Sequence, residues 1–378
     1  MKGETCMTDY TAAETLRLAR RANNTKRTYL LVNPLQGKHM PVSPQAALKM
    51  MQTLGNRLAE EFPDTALVIG FAETATAIGA MAAACFGPDC IYIHTTREPL
   101  PEGSAVLFRE EHSHAVEQAL YCQEMESWLK QTETVIFVDD ELSTGRTLLN
   151  MIEQLAEKFP TLRKKKLVAA SVLNRLTPEN EARLEAAGVA SRYLVKLPDE
   201  DYTDAASRFS VTEAKPPEAL PRDWQRISVS FCKPRLGVLG FDYLDVCCRK
   251  AKDLLPRFRE ALDPAGKLLV LGTEECMFPA LTLGAVLEHK GGFSHVRCHA
   301  TTRSPIGISS QEGYPIQKGF RLKSLYDENR ETFLYNLENY DAVLAVSDGK
   351  GEAGLQSLSQ AINACAGGCK LYFVGGGL

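Results

Sequence analysis

The sequence contains no uninterrupted apolar run approaching the roughly 18–20 residues that span a bilayer. Its opening stretch, MKGETCMTDYTAAETLRLARRANNTKR, carries no apolar core of the kind that marks a secretory leader. Membrane insertion and export are therefore not expected, and the cytoplasm is the expected compartment. Basic charge is not in surplus either: 43 Lys and Arg stand against 47 Asp and Glu, a formal net charge of −4. Bulk nucleic-acid binding, which needs a cationic face to neutralise phosphates, is not expected. Cys-x-x-Cys pairs are missing although there are 11 cysteines. The count is odd, and Cys85, Cys90, Cys232 and Cys298 sit in apolar surroundings. Neither Cys247–Cys248 nor Cys365 with Cys369 has metal-site companions. Reduced, mostly buried thiols are the expected state.

What remains is ordinary globular material, 378 residues with 44% hydrophobic and 24% charged side chains, enough for two domains. Short apolar or β-branched runs recur: TYLLVN (28–33), TALVIG (65–70), CIYIHT (90–95), TVIFVD (134–139), KLVAASVL (166–173) and RYLVKL (192–197). Between them lie stretches of helical period: SPQAALKMMQTLGNRLAEEF, ETATAIGAMAAACFG, HAVEQALYCQEMESWLKQ and TGRTLLNMIEQLAEKF. This alternation predicts an α/β protein with mainly parallel sheets. Ser43 is placed to cap a helix with Pro44 at its first position. Residues 201–225 are polar and proline-rich and read as a linker. The alternation then restarts with RISVSF (226–231), KLLVLG (267–272), SHVRCHAT (294–301), DAVLAVS (341–347) and KLYFVG (370–375). The expected organisation is an N-terminal extension (1–27), a first domain (28–200), the linker and a second domain (226–378).

The two halves share landmarks in one order. NPLQG ending at Gly37 faces KPRLG ending at Gly237, and LVIGFAETATAIGA faces LVLGTEECMFPALTLGA. HTTREP faces HATTRSP, and VIFVDDELSTG faces VLAVSDGKGEAG. Two Rossmann-like domains are expected, the second a diverged copy of the first.

The strongest chemical signal is VIFVDDELSTGRTL, residues 135–148. An apolar strand ends in Asp139 and Asp140, and a small, hydroxyl-rich loop then opens an amphipathic helix. Such a loop offers backbone N–H groups and the positive end of the helix dipole to a phosphate, with Ser143, Thr144 and Thr147 adding hydroxyl donors and Gly145 letting the backbone close. Adjacent carboxylates before an anion cradle suit a ligand with a phosphate at one end and vicinal hydroxyls in its middle, such as a ribose 5-phosphate.

This stretch resembles the signature with which type I phosphoribosyltransferases of the orotate phosphoribosyltransferase kind bind phosphoribosyl pyrophosphate (PRPP). The resemblance implies that Asp139 and Asp140 hold the ribose hydroxyls, and that Ser143, Thr144, Gly145, Arg146 and Thr147 hold the 5′-phosphate. GFAETATAIG (70–79) is similar to the family's pyrophosphate loop, which often carries a non-proline cis peptide; Ala72, Glu73 and Thr74 would then line it. Arg97 stands where the family places a basic residue that meets pyrophosphate, and QGKHMP (36–41) resembles a segment from which Lys38 would reach the phosphates or the base. A flexible hood is implied over 98–120, where FREEHSH holds Glu111, His112 and His114 as candidates for proton transfer or base orientation, alongside Asp139, Asp140 and Arg97 in the catalytic set. Mg²⁺, held mainly through PRPP and pyrophosphate with Asp139 and Asp140 as its protein-side carboxylates, is the implied cofactor, and PRPP the co-substrate.

In the second half, Ser347 replaces the first carboxylate of the pair, and Glu352 stands where a cradle hydroxyl would be. PRPP chemistry is not expected there. Glu274, Glu275, Arg303, Ser304, Asp348 and Lys350 nevertheless fall along one expected sheet edge and form a candidate second site. A transferase domain followed by Thr302-Arg303-Ser304-Pro305 resembles a bacterial family associated with tellurium- and stress-resistance gene neighbourhoods. The resemblance implies phosphoribosyl transfer between PRPP and a nucleobase-like small molecule; the other reading is a PRPP- or nucleotide-binding regulator with little turnover. Self-association as a homodimer is an open expectation.

Overall fold

The structure is a computed structural model that describes residues 10–22, 28–100, 105–108 and 118–376. Two parallel sheets form its frame. The first has the order 91–94, 65–70, 134–142, 166–174, 189–196, all parallel, and the second 295–300, 267–272, 342–347, 370–376, 225–229, also all parallel. Their central strands are apolar on both faces: Leu67 to Ile69, Val135 to Val138 and Val343 to Val346 are all buried. A strand with no polar face needs helices on both sides, which is why these runs build parallel sheets. The fold class is α/β with mainly parallel sheets.

Four helices pack between the sheets: Pro44–Glu61 and Thr76–Ala84 from the first half, Gly240–Ala261 and Phe278–Lys290 from the second. Ser43 caps the first as expected, its hydroxyl accepting from the Ala46 N–H (3.3 Å), with Pro44 at the first turn. The same hydroxyl donates to Glu288 of the second half (2.9 Å), so the cap also ties the halves together. The contacts across the halves are reciprocal. Pro44–Glu61 packs on Phe278–Lys290, and Thr76–Ala84 packs on Gly240–Ala261. Val238–Leu239 adds an antiparallel edge to the first sheet against Ile91 and Tyr92, while Val42 bridges antiparallel to Cys298 on the edge of the second. At the helix crossing a Cβ on Gly240 would stand 2.7 Å from the Ala83 Cβ and 2.8 Å from its carbonyl carbon. Gly240→Val is therefore expected to lower unfolding free energy by about 1–3 kcal/mol in urea titrations, the usual cost of overpacking a rigid contact.

Two stretches differ from the sequence reading. Arg17–Arg20, placed in an extension, pairs antiparallel with Tyr29–Val32, and this hairpin packs on Ile306, Tyr314, Phe333 and Tyr335 rather than joining the main sheet. In the described part of the helix expected over 114–131 there is a strand, Gln118–Tyr121, followed by a shorter helix, Met125–Gln131. The strand wins because Ala119 exchanges both backbone hydrogen bonds with Thr96 (2.8 Å each) and Gln118–Tyr121 pairs with Ala105–Phe108. Residues 201–225 lie on the second half, with Thr212 bridged to Ile308 and the Arg222 N–H on the Ser359 hydroxyl (3.0 Å). The described cysteines are all free thiols. No helix among the described residues is long and apolar enough to cross a membrane.

Candidate active site

The strand Thr134–Leu142 carries Asp139 and Asp140 past its continuous buried run, Thr134 to Val138, toward its C-terminal end, where both are half-buried. The Asp140 N–H donates to Asp139 Oδ1 (2.8 Å). Glu141 pairs with Arg175 (3.3 Å) and so turns away toward the neighbouring strand end. Gly145 then takes a left-handed conformation (φ 69°) as N-cap of the helix Arg146–Lys158, and the Thr144 hydroxyl beside it accepts from the Arg146 N–H (3.4 Å). The positive φ demands glycine, because a Cβ there would meet the preceding carbonyl and the Leu184 side chain at 3.3 Å. Ser143, Thr144 and Thr147 are half-buried around the turn, and Arg146 is exposed.

One strand away, the loop after Thr65–Gly70 faces this cradle: Gly70 and Val138 are in register, and the Phe71 N–H donates to the Val138 carbonyl (2.9 Å). The Ala72–Glu73 peptide is cis, as the resemblance implies for this loop. Thr95 braces it, its hydroxyl accepting from the Ala72 N–H (2.7 Å) and donating to Gln118 (2.6 Å). Ala72 and Thr74 remain partly open while the Glu73 side chain is buried. Arg97, half-buried, follows at the end of the adjacent strand. Asp139, Asp140, the 143–147 turn, Ala72, Thr74 and Arg97 thus share the C-terminal edge of one sheet, where ligands of open α/β sheets bind. Glu111, His112 and His114 lie outside the described residues.

Lys38 requires a correction. It is fully buried, with Nζ paired to the Glu73 carboxylate and donating to the Glu274 carbonyl (2.7 Å). Burial pulls its pKa down and the Glu73 charge opposes that. Its ammonium is committed to the junction between the halves and does not face the cleft, so it is not a PRPP ligand. Glu73 is likewise an interior group: burial alone would raise its pKa, but Lys38 and Arg303 hold it below the usual carboxylate range.

Three residues of the candidate second site, Glu274, Glu275 and Arg303, are also engaged in this junction. Arg303 Nε donates to Glu274 (2.5 Å), and its other nitrogen donates to Glu98 of the first half, with Glu73 at 3.6 Å. Burial works against the Arg303 charge, yet Glu73, Glu274, Glu275 and Glu98 push its pKa up. Arg235 pairs with Glu275 (2.8 Å) and with Asp348, which also accepts from the Tyr326 hydroxyl. Ser304 is half-buried with its carbonyl on the Tyr335 hydroxyl (2.9 Å), and Lys350 is exposed. The counterpart of the phosphate cradle is filled by the protein itself. The Gly351 N–H donates to the Leu325 carbonyl (2.8 Å), and Gly349 and Gly354 leave room for Tyr326 and the Ser324 carbonyl, which a Cβ would meet at 3.0 and 2.7 Å. Glu98, Arg235, Ser324, Tyr326 and Arg330 were not singled out from the sequence. The available signal was a charged residue in each half's Gly-terminated loop, Lys38 in NPLQGK and Arg235 in KPRLG, beside acids embedded in apolar strand ends.

Residues 15–197 match the family model described as phosphoribosyl transferase, and residues 240–362 match that of the TRSP domain found C-terminal to it. No curated protein matches the chain. Among solved structures, the adenine phosphoribosyltransferase of Giardia lamblia with 9-deazaadenine is similar at 15% identity and TM-score 0.34, over 47% of this chain and 93% of that one. The Trypanosoma brucei adenine enzyme with AMP, pyrophosphate and ribose-5-phosphate is 15% identical (TM-score 0.35; 48% and 76% covered). The orotate phosphoribosyltransferase of Aeropyrum pernix is 16% identical (TM-score 0.31; 49% and 89% covered).

Proposed function

We propose that this chain, a phosphoribosyltransferase by the family its first half matches, transfers the phosphoribosyl group between PRPP and a nitrogen of a nucleobase-like acceptor, with release of pyrophosphate. The observation that carries the reading is the meeting on one sheet edge of the Asp139–Asp140 pair, the helix N-terminus behind Gly145, and the braced Ala72–Thr74 loop. The 5-phosphate would sit on the backbone N–H groups and hydroxyls of 143–147, and the ribose 2′- and 3′-hydroxyls on the acidic pair. Pyrophosphate would lie between the Ala72–Thr74 backbone and Arg97. As the bond from C1 to pyrophosphate breaks, positive charge builds on the ribose ring. The carboxylates of Asp139 and Asp140 stabilise it while the acceptor nitrogen bonds to C1 from the other face and loses its proton to water or to the departing pyrophosphate.

Asp139 and Asp140 are hard oxygen donors, the type magnesium prefers. Among the described residues no group of three or more His, Cys, Asp or Glu side chains is arranged to hold a metal ion by itself. The pair therefore fits an ion whose coordination is completed by substrate oxygens and water. When bound, such an ion neutralises charge on the leaving group.

Incubating the protein with PRPP, Mg²⁺ and a panel of nucleobases and cell extracts, while following pyrophosphate, tests the reading. Release that depends on one acceptor is the expected result. Tight PRPP binding with no release for any acceptor would instead favour the regulatory reading, and neither binding nor release would refute both.

A further inference from the structure

The two Thr-Thr-Arg corners are built alike and are exchanged between the halves. Thr95 accepts the Ala72 N–H and sends its own N–H to the Gly70 carbonyl (2.7 and 2.9 Å); Thr301 accepts the Glu274 N–H and sends its own to the Gly272 carbonyl (both 3.0 Å). Thr96 pairs with Ala119 as Thr302 pairs with Phe333. Tyr92 and Val238 meet as Cys298 and Val42 meet. The carboxylate after each loop crosses to the opposite corner: Glu275 takes the Arg97 N–H (3.0 Å), and Glu73 takes the Arg303 N–H (3.4 Å). A contact in which residue i meets j and the counterpart of j meets the counterpart of i is the mark of a two-fold interface. Here it lies within one chain.

The exchange is unequal in its consequences. In the second half the turn that corresponds to the anion cradle, Gly349–Gly354, is occupied by Leu325, Tyr326 and Ser324. Around Arg97 the cleft contains the acidic pair and the anion cradle. Glu275 therefore reaches from the sealed half into the open one. Its carboxylate accepts from the Thr96 hydroxyl (2.6 Å) as well as the Arg97 N–H, and Arg235 holds it from behind (2.8 Å). Two donors on consecutive residues, caught by one buried carboxylate, fix the backbone that aims the Arg97 side chain. Arg303 and Arg330 hold Glu98, the next residue, in the same way (Arg330 at 2.8 Å). We infer that the second half is a silent copy fused as a permanent partner, and that its Glu275 is a positioning residue for the pyrophosphate-side corner of the first half's site. This inference rests on the phosphoribosyl-transfer reading of that site.

The test measures pyrophosphate and PRPP binding by calorimetry and steady-state turnover in the full chain. Glu275→Gln keeps length but loses charge, and Glu275→Asp keeps charge but falls short of the corner. Both are expected to raise the Kd for pyrophosphate and the KM for PRPP at least tenfold, with a smaller change in kcat. Tyr326→Phe, which cuts the same ion-pair network only on the sealed side, is expected to lower Tm without moving either constant. Should the Glu275 variants fail to fold, Thr96→Val removes one of the two crossing bonds and is expected to raise the same constants. Glu275 or Thr96 variants that bind pyrophosphate as the parent does, or a Tyr326→Phe that weakens binding equally, would overturn the positioning role and leave a purely structural junction. Failure of the parent itself to bind pyrophosphate and PRPP would refute the underlying reading as well.

Discussion

Arg303→Met lowers the free energy of unfolding by about 3–5 kcal/mol, the expected cost of removing one partner from a buried ionic cluster. The arginine is nearly enclosed, and its guanidinium lies among Glu73, Glu98, Glu274 and Glu275. Methionine fills much of the volume, so the loss is chiefly electrostatic. Lys38 still serves Glu73, Arg235 still serves Glu275, and Arg330 still reaches Glu98 and Glu274. What they cannot replace is the central charge, and the carboxylates respond by binding protons more readily. The deficit relative to the parent is therefore expected to shrink as pH falls through the carboxylate range. Urea unfolding of both proteins at pH 7.5 and 5 checks this. A loss below about 1 kcal/mol at pH 7.5 would mean that water or the other cations replace Arg303, as they do at an exposed pair.

The second large effect is a steep loss of stability in mild acid. His39 and His299 are buried on either side of the junction, and burial, assisted by the Lys38 charge, holds each at a pKa of about 3. Unfolded, each titrates near 6.5, so below that pH the unfolded chain binds protons that the folded one refuses. Their contribution is complete above pH 6.5 and declines as pH falls toward 3, by up to about 1.4 kcal/mol per pH unit for each histidine. Together they remove about 4 kcal/mol between pH 7 and 5. Glu275 adds to this lower down. Burial would raise its pKa, but Arg235, His94 and Arg303 hold it at about 2. Its stabilisation is present above about 4.5 and is lost as pH falls toward 2. Chemical denaturation at half-unit steps is expected to show close to two protons taken up by these histidines on unfolding near pH 5.5. His94, whose pKa burial also lowers, adds a further share, and His299→Gln is expected to take up about one proton fewer than the parent. A flat profile between pH 6.5 and 5 would show that these histidines are not excluded from protons.

Much of the frame was legible because it rests on local chemistry. TVIFVDD reads as a strand delivering carboxylates to a sheet edge whatever surrounds it, and Ser43-Pro44 announces a helix start by capping alone. STG before a helical period needs a left-handed glycine, and Gly145 supplies it. Other features depend on what arrives from far along the chain. Lys38 in QGKHMP looks like any loop lysine; only the approach of Glu274 makes it an interior group. Gln118–Tyr121 carries helical propensity and becomes a strand because the Thr96 backbone offers it two hydrogen bonds. Val238–Leu239 is too short for any periodicity to register, yet it extends the first half's sheet. The acids of GTEEC suggested a ligand site because charged residues at strand ends usually face water. Here their ion-pair partners are Arg235, Arg303 and Arg330 of the same half, while Glu275 also reaches the Thr96 hydroxyl and the Arg97 N–H of the other. The order of paired landmarks in the sequence was the one sign that the halves would meet in this way.

The most direct measurement is the thermal stability of Asp139→Asn with Asp140→Asn, with and without PRPP and Mg²⁺. The parent is expected to melt several degrees higher with saturating PRPP, since a ligand that binds only the folded state stabilises it by about 2.7 kcal/mol at a hundred times Kd. The double variant, folded and melting near the parent without ligand because both side chains sit at the half-exposed strand end, is expected to lose that shift entirely. A double variant that responds to PRPP as the parent does would contradict the assignment of the ribose site to this acidic pair.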